Sequence, residues 1–137
     1  MLAIEEDYSG TDAANHAKYY IGIIYLKQGR IEEGVDYLED FDEPSNTLLA
    51  MSSFMAQGFG YEDLGNPEKA ASFFQRAASA VGDNDHTTPT MLLNAGRNYE
   101  AAGQFDKAMK VYQTIKKDFP TSSEGFQIDK YIGRVTR

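Results

Sequence analysis

The chain has 137 residues, 21 acidic against 13 basic side chains, a formal net charge of −8, and neither cysteine nor tryptophan. This length suits one domain, and the missing cysteines exclude a disulfide framework and thiol chemistry. A surplus of acid repels phosphate backbones, so nucleic acid is not an expected partner. No stretch has the apolar length of a membrane span, and no charged-then-apolar leader is present in it.

Internal repetition sets the organisation. Gly22, Gly58, Gly96 and Gly133 recur at spacings of 36, 38 and 37 residues. The first three each precede a tyrosine by three positions (Tyr25, Tyr61, Tyr99) and a second glycine by seven (Gly29, Gly65, Gly103). Beyond the second glycine come a small residue (Gly34, Ala70, Ala108) and then a large one (Leu38, Phe74, Tyr112). Apolar and small residues lie three and four apart, the spacing of helices and not of strands.

Residues 1–10 are expected to be the last turns of a helix from a preceding unit, because residues 4–22 align without a gap on residues 115–133. That offset places both ends of the chain inside a repeat, as in a fragment of a longer protein. Residues 12–43 form the first unit, with a helix through AKYYIGIIYLKQG and a second over Ile31 to Phe41. Most acids of this second helix lie opposite Val35 and Leu38, as on any solvated amphipathic face. All the net charge sits here: the first 43 residues hold eleven acids and three bases, and the rest of the chain cancels.

The second unit spans residues 46–81, its second helix opened by Asn66 as cap and Pro67 in the first turn. The third spans residues 88–119, with Thr88 and Pro89 expected to open its first helix in the same way. Residues 123–136 then read as a lone amphipathic helix with Ile128, Ile132 and Val135 on one side, a solvating cap for the array. Each paired glycine closes the helix before it in the left-handed conformation. The all-α chain is thus expected to be one domain of antiparallel helical hairpins.

Glycine inside a helix costs roughly 1 kcal/mol against alanine, so its repetition at 22, 58 and 96 implies closely approaching backbones. Tyr25, Tyr61, Tyr99, Phe74 and Tyr112 would fill the flanking holes, with Phe41, Ala77 and Ile115 facing the next unit. These glycines therefore serve helix seams and not phosphates.

Chemistry-bearing constellations are scarce. With two histidines, His16 and His86, and no cysteine, neither a zinc site nor a nucleophile with its base can be assembled. The string Asp83 to Thr87 begins like a calcium loop. Thr88 and Pro89 stand where such a loop needs its glycine turn, however, and Asn94 replaces the bidentate glutamate. It reads as an inter-repeat turn ending in a helix cap, and no catalytic, metal-binding or cofactor-binding residue is expected.

These segments resemble the tetratricopeptide repeat: YIGIIYLKQGRIEEGVDYLEDF, QGFGYEDLGNPEKAASFFQRA and NAGRNYEAAGQFDKAMKVYQTIKKDFP. Glycine, tyrosine, alanine, aromatic and the final Pro120 fall in that family's order. The usual tryptophan is absent, Gly34 replaces an alanine, and the period exceeds the family's 34 residues. The resemblance implies a right-handed superhelical array that binds a protein or peptide segment in a concave groove lined by the first helix of each unit.

Aligned on the glycines, that groove draws on Tyr19, Tyr20, Ile23 and Lys27, then on Met55, Ala56, Phe59 and Glu62, then on Leu93, Asn94, Arg97 and Glu100. The proposed contact set is Tyr19, Tyr20, Ile23, Lys27, Met55, Phe59, Glu62, Asn94 and Arg97. Asn94 and Arg97 would hold a carboxylate or backbone carbonyl, while Tyr20, Ile23 and Phe59 are either groove-facing or inter-helix core. Relatives that grip an acidic C-terminus use lysine, asparagine and arginine where this chain has Tyr19, Ile23 and Ala56, so no carboxylate clamp is expected. The joint at residues 8–14, echoed at 119–125, resembles the inter-repeat signature of bacterial envelope proteins. It implies an extracytoplasmic scaffold in a membrane-associated assembly, favoured over a cytoplasmic adaptor and tethered through a segment outside this one. Self-association into a homo-oligomer is the alternative use of such an array.

Overall fold

The computed structural model describes residues 12–44, 47–80, 82, 84 and 86–136. Every regular element among them is helical: α1 Asp12–Lys27, α2 Ile31–Asp40, α3 Leu48–Asp63, α4 Pro67–Ala80, α5 Thr88–Ala101, α6 Phe105–Asp118 and α7 Ser123–Val135. Consecutive helices pack on one another from α1 to α7, and α1 also touches α3 while α5 touches α7. This is a layered stack of hairpins, α1/α2, α3/α4 and α5/α6, closed by α7. The expected helix end at residues 1–10 lies outside the described residues.

The three hairpins turn by one mechanism. Gly29, Gly65 and Gly103 have φ of 80, 74 and 75°, a left-handed conformation that costs glycine little. Each donates its N–H to the carbonyl three residues back, and the next residue reaches the tyrosine carbonyl five back, as in Arg30 to Tyr25, Asn66 to Tyr61 and Gln104 to Tyr99. That pair of bonds satisfies carbonyls left orphaned at the helix end. The second helix then has no freedom to start elsewhere.

The seam glycines are equally uniform. A Cβ on Gly22 would meet Leu38 Cγ at 2.8 Å, one on Gly58 the Phe74 ring at 2.8 Å, and one on Gly96 the Tyr112 ring at 2.3 Å. Gly133 stands at the equivalent point of α7, and a Cβ there meets nothing within 4 Å. Gly34 is a glycine because Leu26 occupies its space, 2.7 Å from where a Cβ would stand. In the other hairpins that place on the first helix holds Glu62 and Glu100, and the opposing residue is a fully buried alanine, Ala70 or Ala108.

A single core runs from Val35 through α3 to α7, filled by Tyr61, Phe73, Phe74, Tyr99, Tyr112 and Ile115. Tyr61 stacks on Phe73 with ring centroids 5.4 Å apart. On α7, Ile128 and Val135 are buried and Ile132 is partly buried against this core, while Lys130 faces outward.

One cap differs from the sequence expectation. Thr88 lies inside the first turn of α5 and is not its cap. Its buried hydroxyl donates to the Gly82 carbonyl at 3.0 Å and accepts the Asn84 N–H at 3.0 Å. The Asn84 side-chain oxygen braces the turn before the helix, accepting from the N–H groups of His86 and Thr87 at 3.0 and 3.1 Å, and among the described residues no side chain caps the helix itself. Thr88 is itself buried, so its hydroxyl needs a partner and finds it in the backbone of the loop.

Candidate functional site

Tyr20, Phe59 and Arg97 are exposed on the first helices α1, α3 and α5; Phe59 and Arg97 share one register position, and Tyr20 lies three residues, about one turn, before it. Tyr20 is 56% and Phe59 44% exposed, so neither is inter-helix core. Their rings are nonetheless seated: Tyr20 edge-on to Tyr19 at 5.3 Å, and Phe59 edge-on to Phe74 at 5.0 Å. Tyr19, Ile23 and Met55 are half-buried. Tyr19 turns to Phe41, 5.4 Å away, and so braces the α1/α2 hairpin.

Lys27 is exposed at the last residue of α1. It stands one position beyond the register of Glu62 and Glu100, which Leu26 fills, so it is a helix-end cation and not part of the same row. Positive charge there complements the helix C-terminus.

Glu62, Asn94 and Arg97 converge. Together with Asn98, Glu100 and Arg134 they line a cleft of about 670 Å³ between α3, α5 and α7. Asn98 Nδ2 donates to Glu62 Oε2 and to the Asn94 carbonyl, each at 2.8 Å, tying α3 to α5. Arg134 grips Glu100 through two nitrogens, at 2.6 and 3.3 Å. The Tyr112 hydroxyl donates to the same carboxylate at 2.6 Å.

Burial would raise the Glu100 carboxyl, but hydrogen bonds from Arg134 and Tyr112 and the charges of Arg134 and Arg97 outweigh it and hold it below its ordinary value. Burial and the neighbouring Glu100 push the Tyr112 hydroxyl well above the usual tyrosine range. Glu100 is therefore committed to the scaffold, and Arg97 is the cation presented on the same wall. Asn98 and Arg134 were not among the residues read from the sequence. The signal for Asn98 is its place in the row of Ile24 and Gly60, where an amide is unexpected; Arg134 carries no local signal, since its partner is 34 residues away.

The remaining sequence candidates fall elsewhere. His16 is exposed, its Nε2 3.9 Å from a Glu43 carboxylate oxygen. His86 lies in the α4–α5 turn. Among the described residues no three potential metal ligands gather, and no helix is long and apolar enough to cross a membrane.

The fold defines the class: a solenoid of helical hairpins whose first helices share a cleft. Residues 16–43 and 91–122 match the family model described as tetratricopeptide repeat, and these matches support a tetratricopeptide-repeat protein. The matched stretches are the first and third units, and α3/α4 between them repeats their glycine seam and turn. No curated protein matches the chain. The tetratricopeptide repeat is a non-catalytic fold used as a protein-interaction scaffold.

Proposed function

We propose that the cleft between α3, α5 and α7, continued by the exposed rings of Phe59 and Tyr20, binds an extended segment of a partner protein. One observation carries the reading: Glu62, Asn94 and Arg97, drawn from two hairpins, line one concave space. Shape comes from the stack, and polarity from a cation and amides beside apolar rings, the combination that orients a peptide. Arg97 pairs with an acidic side chain or a carbonyl of the ligand, and the rings take apolar ones.

The test begins with peptides selected from a random library on the wild-type protein. Arg97→Glu should weaken their binding about tenfold, the scale of one lost charge-assisted contact, with helicity unchanged by circular dichroism. Equal binding by Arg97→Glu and by Phe59→Ala would overturn the assignment. We further place the protein on the extracytoplasmic side of a bacterial membrane-associated assembly, supported by the resemblance of residues 8–14 and 119–125 to envelope-protein joints. Protease protection in intact cells that is lost on opening the outer membrane checks this, and digestion only after cytoplasmic lysis sinks it.

A further inference from the structure

The middle unit breaks the core pattern at two places. Where α1 buries Ala17 and Ile21, and α5 buries Met91 and Ala95, α3 buries Ser53 and Gln57, each only 2% exposed. Gln57 Nε2 donates to Ser53 Oγ at 3.2 Å. Gln57 Oε1 is buried with no hydrogen-bond partner. An orphaned buried acceptor is costly, and the sister units show that this register is well served by apolar side chains.

Both residues line a cavity of about 340 Å³ bounded by α2, the loop after it, α3 and α4, away from the groove-lining row of first helices. Its wall includes three acids, Glu39, Asp42 and Glu43, against one base, Arg76. Glu39 accepts the hydroxyl of Tyr61, as its counterpart Gln75 accepts that of Tyr99. The first junction thus carries a charge where the second has a neutral amide. Burial together with Glu39 and Asp36 pushes the Tyr61 hydroxyl up to about 12, so it stays a donor to that carboxylate.

We propose that this cavity receives a lysine side chain from a basic segment of a partner, its stem against Leu38 and Phe41 and its ammonium on Gln57 Oε1 and Ser53 Oγ. The Gln57 amide turns about its last torsion to meet it. Charge complementarity selects a cation, and the lining selects an ammonium over a guanidinium. Two of the three rings in the lining on which a guanidinium could stack already carry one, since Arg76 lies 4.4 Å from the centroid of Phe54 and 4.9 Å from that of Phe73. With the amide turned, Gln57 Oε1 and Ser53 Oγ present two acceptors that suit a compact point donor. This site is independent of the cleft between α3, α5 and α7.

The probe is a blocked Gly-Lys-Gly peptide titrated at millimolar concentration into isotope-labelled protein. Its expected effect is to shift the Gln57 side-chain amide and Ser53 backbone resonances at physiological salt, with the norleucine analogue shifting neither. Gln57→Ile, which restores the residue found in α1, should weaken the lysine peptide about tenfold with the fold retained. Ser53→Ala serves as a second variant if the first fails to fold. Any of four results overturns the proposal: no shift at all, equal shifts with norleucine, tighter binding of an arginine peptide, or binding unchanged in the variants. The last would mean a surface response of the acids alone.

Discussion

At the scale of single residues, equivalent glycines do opposite things. Adding a methyl at Gly96 drives it to 2.3 Å from the Tyr112 ring, whereas at Gly133 it enters open space. Tyr112 is wholly buried and hydrogen-bonded to Glu100, so its ring cannot withdraw without breaking that bond. Gly96→Ala should therefore lower stability by about 1 to 3 kcal/mol through overpacking. Gly133→Ala should raise it by about 0.5 to 1 kcal/mol through helix propensity alone. Denaturant midpoints of the two variants, measured together, check both signs. The glycine at 34 was legible as a departure from the repeat pattern, but its cause was not. Leu26, eight residues earlier in the sequence, becomes its neighbour only once α1 and α2 pack.

At the scale of elements, α7 is the instructive case. Its apolar stripe of Ile128, Ile132 and Val135 was readable from three- and four-residue spacing, and the structure seats that stripe on the core. Its charged hold was not readable, because Arg134 meets Glu100 across a space between α7 and α5. The ion pair is half-exposed on its arginine side, where such pairs are worth little. Burial of Ile128 then dominates the docking. Ile128→Ala should destabilise by about 2 to 5 kcal/mol, Arg134→Ala by about 1 kcal/mol or less. A larger loss for Arg134→Ala in chemical denaturation would reverse that ranking. The misread cap at Thr88 belongs to this scale too. Thr-Pro is a helix-opening pair by local chemistry, yet the hydroxyl, buried with Thr88, answers to Gly82 and Asn84 in the preceding loop.

At the scale of the whole molecule, a stack of hairpins is stabilised by nearest neighbours, so its ends open before its middle. Helices α4 and α5 are flanked on both sides, and their amides should exchange most slowly. Those of α1 and α7 should exchange fastest. Uniform protection in native-state hydrogen exchange would show the chain unfolding as one unit instead. The sequence alone determined the helical class, the hairpin turns and the seam glycines, because each is set by contacts that recur at one fixed spacing. Exposure of Tyr20 and Phe59, the gathering of Glu62, Asn94 and Arg97, and the polar cavity around Gln57 were decided by the tertiary structure. These depend on how far neighbouring hairpins approach and which side chains then share water or lose it, and that is a property of the stack and not of any one repeat.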